Sequence, residues 1–204
     1  MHVAIAGNIG AGKTTLTKLL AKHYHWDSHF ETVDDNPYLD DFYGEMERWS
    51  FNLQVYFLNS RFDQILKIQK SGKNIIQDRT IYEDAKIFAP NLHAMGLLTN
   101  RDYKNYNSLF DLMENLVTPP DLLIYLRADI KTLVGQIHKR GRAYENSISI
   151  DYLSRLNERY EAWASKYDKG KLLIIDVDEI DFVENPEDLG KIIDRVDAQI
   201  HGLF

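Results

Sequence analysis

The chain has 204 residues, 44% hydrophobic and 27% charged, with a formal net charge of -7 and no cysteine. Such a length and balance fit one globular domain, residues 1–204, with a sizeable core. The acidic balance argues against non-specific binding to nucleic-acid polymers or anionic membranes, and the missing cysteine excludes disulfides, thiol catalysis and cysteine-ligated metals.

Met1 leads straight into VAIAG, without a basic segment, an adequate apolar core or a cleavage site. No run approaches the roughly 18 apolar residues of a membrane span, so the expectation is a cytoplasmic protein.

Strands are expected at 2–6, 28–33, 73–77, 121–126 and 171–176. Within them VAIA, LLIYL and LLII are continuous apolar runs, as strands covered on both faces require. Helical periodicity fills the intervals 13–24, 45–70, 80–89, 101–116, 129–140, 150–168 and 186–200. In the second of these, Phe51, Val55, Leu58, Phe62 and Ile65 form an expected core stripe. Alternating strands and helices predict an α/β fold: a five-stranded parallel sheet flanked by helices in three layers.

Between the first strand and first helix lies Gly7-Asn8-Ile9-Gly10-Ala11-Gly12-Lys13-Thr14, which matches G-x-x-x-x-G-K-[ST], followed by Thr15. This is the phosphate loop (P-loop) pattern: glycines let the backbone wrap phosphate oxygens, and the helix N-terminus adds a positive dipole. Lys13 is expected to reach the β- and γ-phosphates of a nucleoside triphosphate, and the Thr14 hydroxyl to bind Mg²⁺. A GTPase would also need N-K-x-D and D-x-x-G; an acceptor-phosphorylating kinase is the natural alternative.

FETVDDNP, residues 30–37, then sets Glu31, Asp34 and Asp35 close to a site for polyanions. Asp34 and Asp35 read as turn chemistry. After the third strand comes Gln77-Asp78-Arg79-Thr80, at the strand end where open α/β sheets bind ligands. Asp78 is able there to hold Mg²⁺ through water and Arg79 to meet a phosphate; equally, they could be a helix-capping acid and its ion-pair partner. Gln54 and Arg61 share one helix face, and Asp84 and Phe88, four apart, share another.

Together GNIGAGKT, FETVDDNP, FYGEMERWSFNLQVYFLNSRF, DRTIYEDAKIFAPNL and KRGRAYE resemble the deoxyribonucleoside kinase family, above all its bacterial deoxyadenosine/deoxyguanosine kinase branch. The resemblance implies a P-loop NTPase-type fold and ATP- and Mg²⁺-dependent phosphorylation of a deoxynucleoside 5′-hydroxyl in nucleotide salvage. It implies Glu31 as the carboxylate that accepts the hydroxyl proton and Arg79 as its neighbouring cation. Gln54 would read the base edge, Arg61 and Asp84 would pair beside it, and Phe88 would stack on its plane. Tyr43 and Glu145 would hold the sugar 3′-hydroxyl. Arg140 and Arg142 would clamp the donor phosphates in a lid at about 136–145, where Gln136 replaces a family arginine. Asp178 to Phe182 fall where the family contacts the donor base. The resemblance also implies a homodimer through the 45–70 and 101–116 helices. The hydrogen-bonding groups favour purine deoxynucleosides, deoxyadenosine first. The rivals are a thymidylate-like monophosphate kinase and a catalytically silent nucleotide-binding subunit.

Overall fold

The computed structural model describes residues 1–30 and 36–202. Its five strands are β1 (His2–Gly7), β2 (Asp27–His29), β3 (Ile75–Asp78), β4 (Leu122–Arg127) and β5 (Lys171–Asp176). They form one parallel sheet in the order β2-β3-β1-β4-β5. The helices are α1 (Lys13–Tyr24), α2 (Leu39–Gly44), α3 (Met46–Ser71), α4 (Ile81–Glu83), α5 (Ala89–Ala94), α6 (Asn100–Glu114), α7 (Ile130–Arg140), α8 (Ile150–Ala164) and α9 (Pro186–His201). A π-helical turn, Asp84–Phe88, joins α4 to α5, and a 3₁₀ turn, Ala143–Ser147, follows α7. Among the described residues, no helix is long and apolar enough to cross a membrane.

Because strand side chains alternate, β4 feeds both layers. Leu122, Ile124 and Leu126 join Val3, Ile5, Leu16, Leu133 and Ile192 on the side covered by α1, α7 and α9. Tyr125 faces the opposite layer, with Leu58 of α3, Phe110 of α6 and Tyr160 of α8. Three-layer packing was legible in the continuous apolar strands.

The differences lie along α3, around the π turn, at α2 and at β2. Of the expected α3 stripe only Leu58 and Ile65 are buried, while Phe51, Val55 and Phe62 are half-buried; Ser50, Gln54 and Arg61 lie deeper. A polar line can be buried there because α3 borders a cavity that contains Gln54 and Arg61. The expected 80–89 helix extends to Ala94 and contains the π turn, and α2 has no counterpart in the periodicity analysis. The expected 28–33 strand begins one residue early, and Asp27, Ser28 and His29 pair with β3; its residues 31–33 lie outside the described residues.

Candidate active site

β1 lies at the sheet centre, so the loop after it opens into the crevice at the strands' C-terminal ends. Gly10 and Gly12 hold φ of 89° and 91°, a region that side chains resist. A Cβ on Gly10 would fall 2.7 Å from the Leu133 carbonyl oxygen, and one on Gly12 2.9 Å from the Phe182 ring. Phe182, from the segment after β5, thus packs on the phosphate loop, while Asp178 accepts from the Asp129 amide at 2.9 Å. Buried Lys13 donates from Nζ to the Asn8 carbonyl at 2.9 Å. Asn8 Oδ1 accepts from the Ile9 amide at 2.8 Å, and its Nδ2 donates to the Leu153 carbonyl and Asn157 Oδ1, both at 3.1 Å. The loop is therefore braced against α8 as well as wound by its glycines.

Thr14 Oγ1 donates to Asp78 Oδ2 at 2.5 Å, since β3 pairs with β1 and brings Asp78 opposite Ile5. No group of three or more His, Cys, Asp or Glu among the described residues could hold a metal by protein ligands alone. A hydroxyl beside one carboxylate nevertheless fits Mg²⁺, which takes few protein oxygens and completes its shell with water and phosphate.

Arg79 follows Asp78 with φ of 70°, left-handed for a non-glycine residue. Its Nη1 donates to Glu83 Oε1 at 3.3 Å and to the Tyr160 hydroxyl at 2.8 Å, and its guanidinium lies 4.7 Å from the Phe88 ring centroid. Glu83, wholly buried, closes a capping box with Thr80 at the start of α4. The Thr80-x-x-Glu83 spacing was the available signal for it, although only tertiary packing shows its other partners. Burial pushes the Tyr160 hydroxyl well above its ordinary pKa, so it stays protonated.

A cavity of about 280 Å³ runs from this cluster between α3, the π turn and the 140–145 segment. Gln54, Arg61, Asp84 and Phe88 line it, as do Gly10, Lys13, Thr14 and Arg79. Arg61 Nη1 lies 2.9 Å from Asp84 Oδ1 and 2.8 Å from Oδ2, and the guanidinium sits 4.6 Å from the Phe57 centroid. Gln54 is 2% exposed, and its Oε1 has no hydrogen-bond partner among the described residues. A buried amide oxygen left without a donor costs about 1–3 kcal/mol, so its position beside a cavity points to a ligand that supplies one.

At the opposite wall Tyr43 stacks on Tyr144, with centroids 5.5 Å apart. Glu145 accepts from Arg140 Nε at 3.0 Å and also from its Nη2, and Arg142 Nη1 lies 3.7 Å from Glu145 Oε1. The sugar-holding acid and the lid cations of the sequence reading thus occupy one ion-pair cluster.

Lys18, Phe57, Tyr144 and Tyr152 also line the cavity and were not singled out from sequence. Gln136 and Thr15 are exposed and do not line it. Glu31 lies outside the described residues; the chain reaches it from Phe30, whose side chain lines the cavity and whose carbonyl accepts from Gln64 Nε2 at 2.8 Å.

The deoxynucleoside kinase family model matches residues 3–201. The chain is 41% identical to the deoxyadenosine/deoxycytidine kinase of Bacillus subtilis, over 98% of this chain and 93% of that one. It is 40% identical to the deoxyadenosine kinase of Dictyostelium discoideum, over 94% and 77%. The structure of deoxyadenosine kinase from M. mycoides with bound dATP superposes with a TM-score of 0.85 at 32% identity, over 97% of this chain and all of that one.

Proposed function

This chain belongs to the deoxynucleoside kinase family, and from that premise we propose that it transfers the γ-phosphoryl group of Mg²⁺-ATP to the 5′-hydroxyl of purine deoxynucleosides, deoxyadenosine first. The carrying observation is the Gln54 amide oxygen, buried without a donor among the described residues at a cavity that Gly10, Lys13 and Thr14 of the phosphate loop also line. A base whose edge offers an amine beside a ring-nitrogen acceptor satisfies both halves of that amide. Two relatives named for deoxyadenosine, one of them for deoxycytidine as well, support deoxyadenosine as an acceptor.

With the base at Gln54, Arg61 and Asp84, the sugar extends toward Tyr43 and Glu145, and its 5′-oxygen toward Arg79 and Lys13. Glu31 takes the hydroxyl proton as that oxygen forms its bond to the γ-phosphorus. The bond from the γ-phosphorus to the β,γ-bridging oxygen breaks, and ADP departs with that oxygen's electron pair. A carboxylate, though a weak base toward an alcohol, suffices because the transition state is loose and the proton moves late. Lys13 and Arg79 offset charge on the transferring group, and Arg140 and Arg142 approach the donor phosphates from the lid. Thr14 and Asp78 would hold Mg²⁺, which supplies neutralisation of the phosphate oxygens.

The enzyme works as a homodimer in this reading. Leu112 and Leu116 of the α6 region are 65% and 68% exposed, apolar surface that a second copy would cover. Transfer of labelled γ-phosphate from ATP to four deoxynucleosides, and separately to their monophosphates, tests the assignment. Label should pass to deoxyadenosine fastest; thymidine as best acceptor would refute the base reading, and preference for monophosphates the reaction itself.

A further inference from the structure

Glu83 is the most enclosed carboxylate at the site among the described residues, and the proposed reaction gives it no step. Its Oε1 accepts from the Gly7 amide at 3.3 Å, Arg79 Nη1 at 3.3 Å and the Tyr160 hydroxyl at 2.8 Å. Its Oε2 accepts from the Thr80 amide at 2.7 Å and the Thr80 hydroxyl at 3.3 Å. Three separate elements converge here: the start of the phosphate loop, the turn carrying Arg79, and α8, with Gly7 and Tyr160 lying 76 and 77 residues from Glu83.

We propose that Glu83 and Tyr160 form a positioning device, which fixes the Arg79 guanidinium relative to the phosphate loop so that arginine and donor phosphates are held in one frame. The inference rests on the reading of Arg79 as the cation that meets the transferring phosphoryl group. Every described partner of the Glu83 carboxylate is a donor, so a carboxylate is required: an amide there must aim its own N–H₂ at another donor. Tyr160 accepts from Arg79 and donates to Glu83, and its ring is stacked on Tyr125 at 5.8 Å with an interplanar angle of 4°. The hydroxyl is thereby fixed in place and, being protonated, keeps its direction of donation. A capping box alone needs only Oε2; Oε1 is spent wholly on the phosphate loop, Arg79 and Tyr160. That division of the carboxylate is the mark of a linkage between site elements. Holding Arg79 matters because its backbone is in the left-handed region and a misplacement of about 1 Å in a positioned group can cost as much as 10²-fold in rate.

Tyr160→Phe removes the bridging hydroxyl and leaves the Thr80–Glu83 capping box intact. Its kcat for deoxyadenosine should fall about tenfold to a hundredfold, with KM for nucleoside and ATP each within about twofold of wild type, since uniform binding is untouched. Glu83→Gln should show the same split. In an Arg79→Ala background the Tyr160→Phe change should cost less than about twofold more, because groups acting through one another are not additive. A kcat for Tyr160→Phe within twofold of wild type while Arg79→Ala is crippled would overturn the proposal alone. Equal losses in both backgrounds would also overturn it, by showing a general structural effect. Wild-type turnover in Arg79→Ala would remove the reading of Arg79 and this proposal together.

Discussion

Asp84→Ala removes one half of an ion pair whose side chains are 4% (Arg61) and 2% (Asp84) exposed, at 2.8 Å. The guanidinium left behind lies 4.6 Å from the Phe57 centroid and lines the cavity, and it has lost the carboxylate that offset its charge at contact distance. Losing one partner of a buried pair costs about 3–5 kcal/mol, mainly the penalty on the charge that remains. At about 2–4 °C per kcal/mol for a domain of this size, the midpoint should drop by about 6–20 °C. Arg61→Met in the same chain removes the remaining charge of the pair, so the double variant should recover most of the loss, because apolar replacement of a buried pair is often close to neutral. Thermal unfolding followed by circular dichroism on wild type, both single variants and the double supplies the cycle. Acceptance of thymidine should rise only in the double, since each remaining charge still demands a complementary base edge. An Asp84→Ala midpoint within about 2 °C of wild type, or a double variant less stable than the single, would refute the reasoning.

Glu31→Gln should fold, bind nucleoside and lose about 10²-fold or more in kcat, the scale of a positioned general base; near-wild-type turnover would remove it from the mechanism. Lys13→Ala should abolish transfer in protein shown folded by circular dichroism, as its contact to the β- and γ-phosphates is lost; normal turnover in that folded variant would overturn the phosphate-loop assignment. Because Gln136 is exposed on α7, Gln136→Arg should change stability by less than about 0.5 kcal/mol. It should alter ATP KM or kcat modestly; a change confined to nucleoside KM would place the lid elsewhere.

The loop after β1 was legible because its pattern is local. A strand, eight consecutive residues and a helix N-terminus carry it, so the glycine-wound turn leading into α1 could be placed before tertiary folding was considered. The sheet was legible for a related reason, since strands covered on both faces must be apolar throughout. α2 and the π turn were missed, because one helical turn of mixed residues carries no periodicity and a π turn shifts the face by less than the pattern resolves.

What the sequence determined by itself was therefore the identity of the groups: a glycine-rich loop ending in Lys13 and Thr14, an Asp-Arg after a strand, and Gln54, Arg61, Asp84 and Phe88 on two helix faces. Tertiary structure decided which of them meet. It set Asp78 against Thr14 through the β1–β3 register, closed Arg61 onto Asp84, and gathered Arg140 and Arg142 around Glu145. It also turned Glu83 from a helix cap into the junction of Gly7, Arg79 and Tyr160. A side chain's type fixes what it can donate or accept, but its partners depend on which distant segments the sheet brings within about 3 Å. For Glu83 those segments arrive from 76 residues before it and 77 residues after it, a distance over which no local pattern extends.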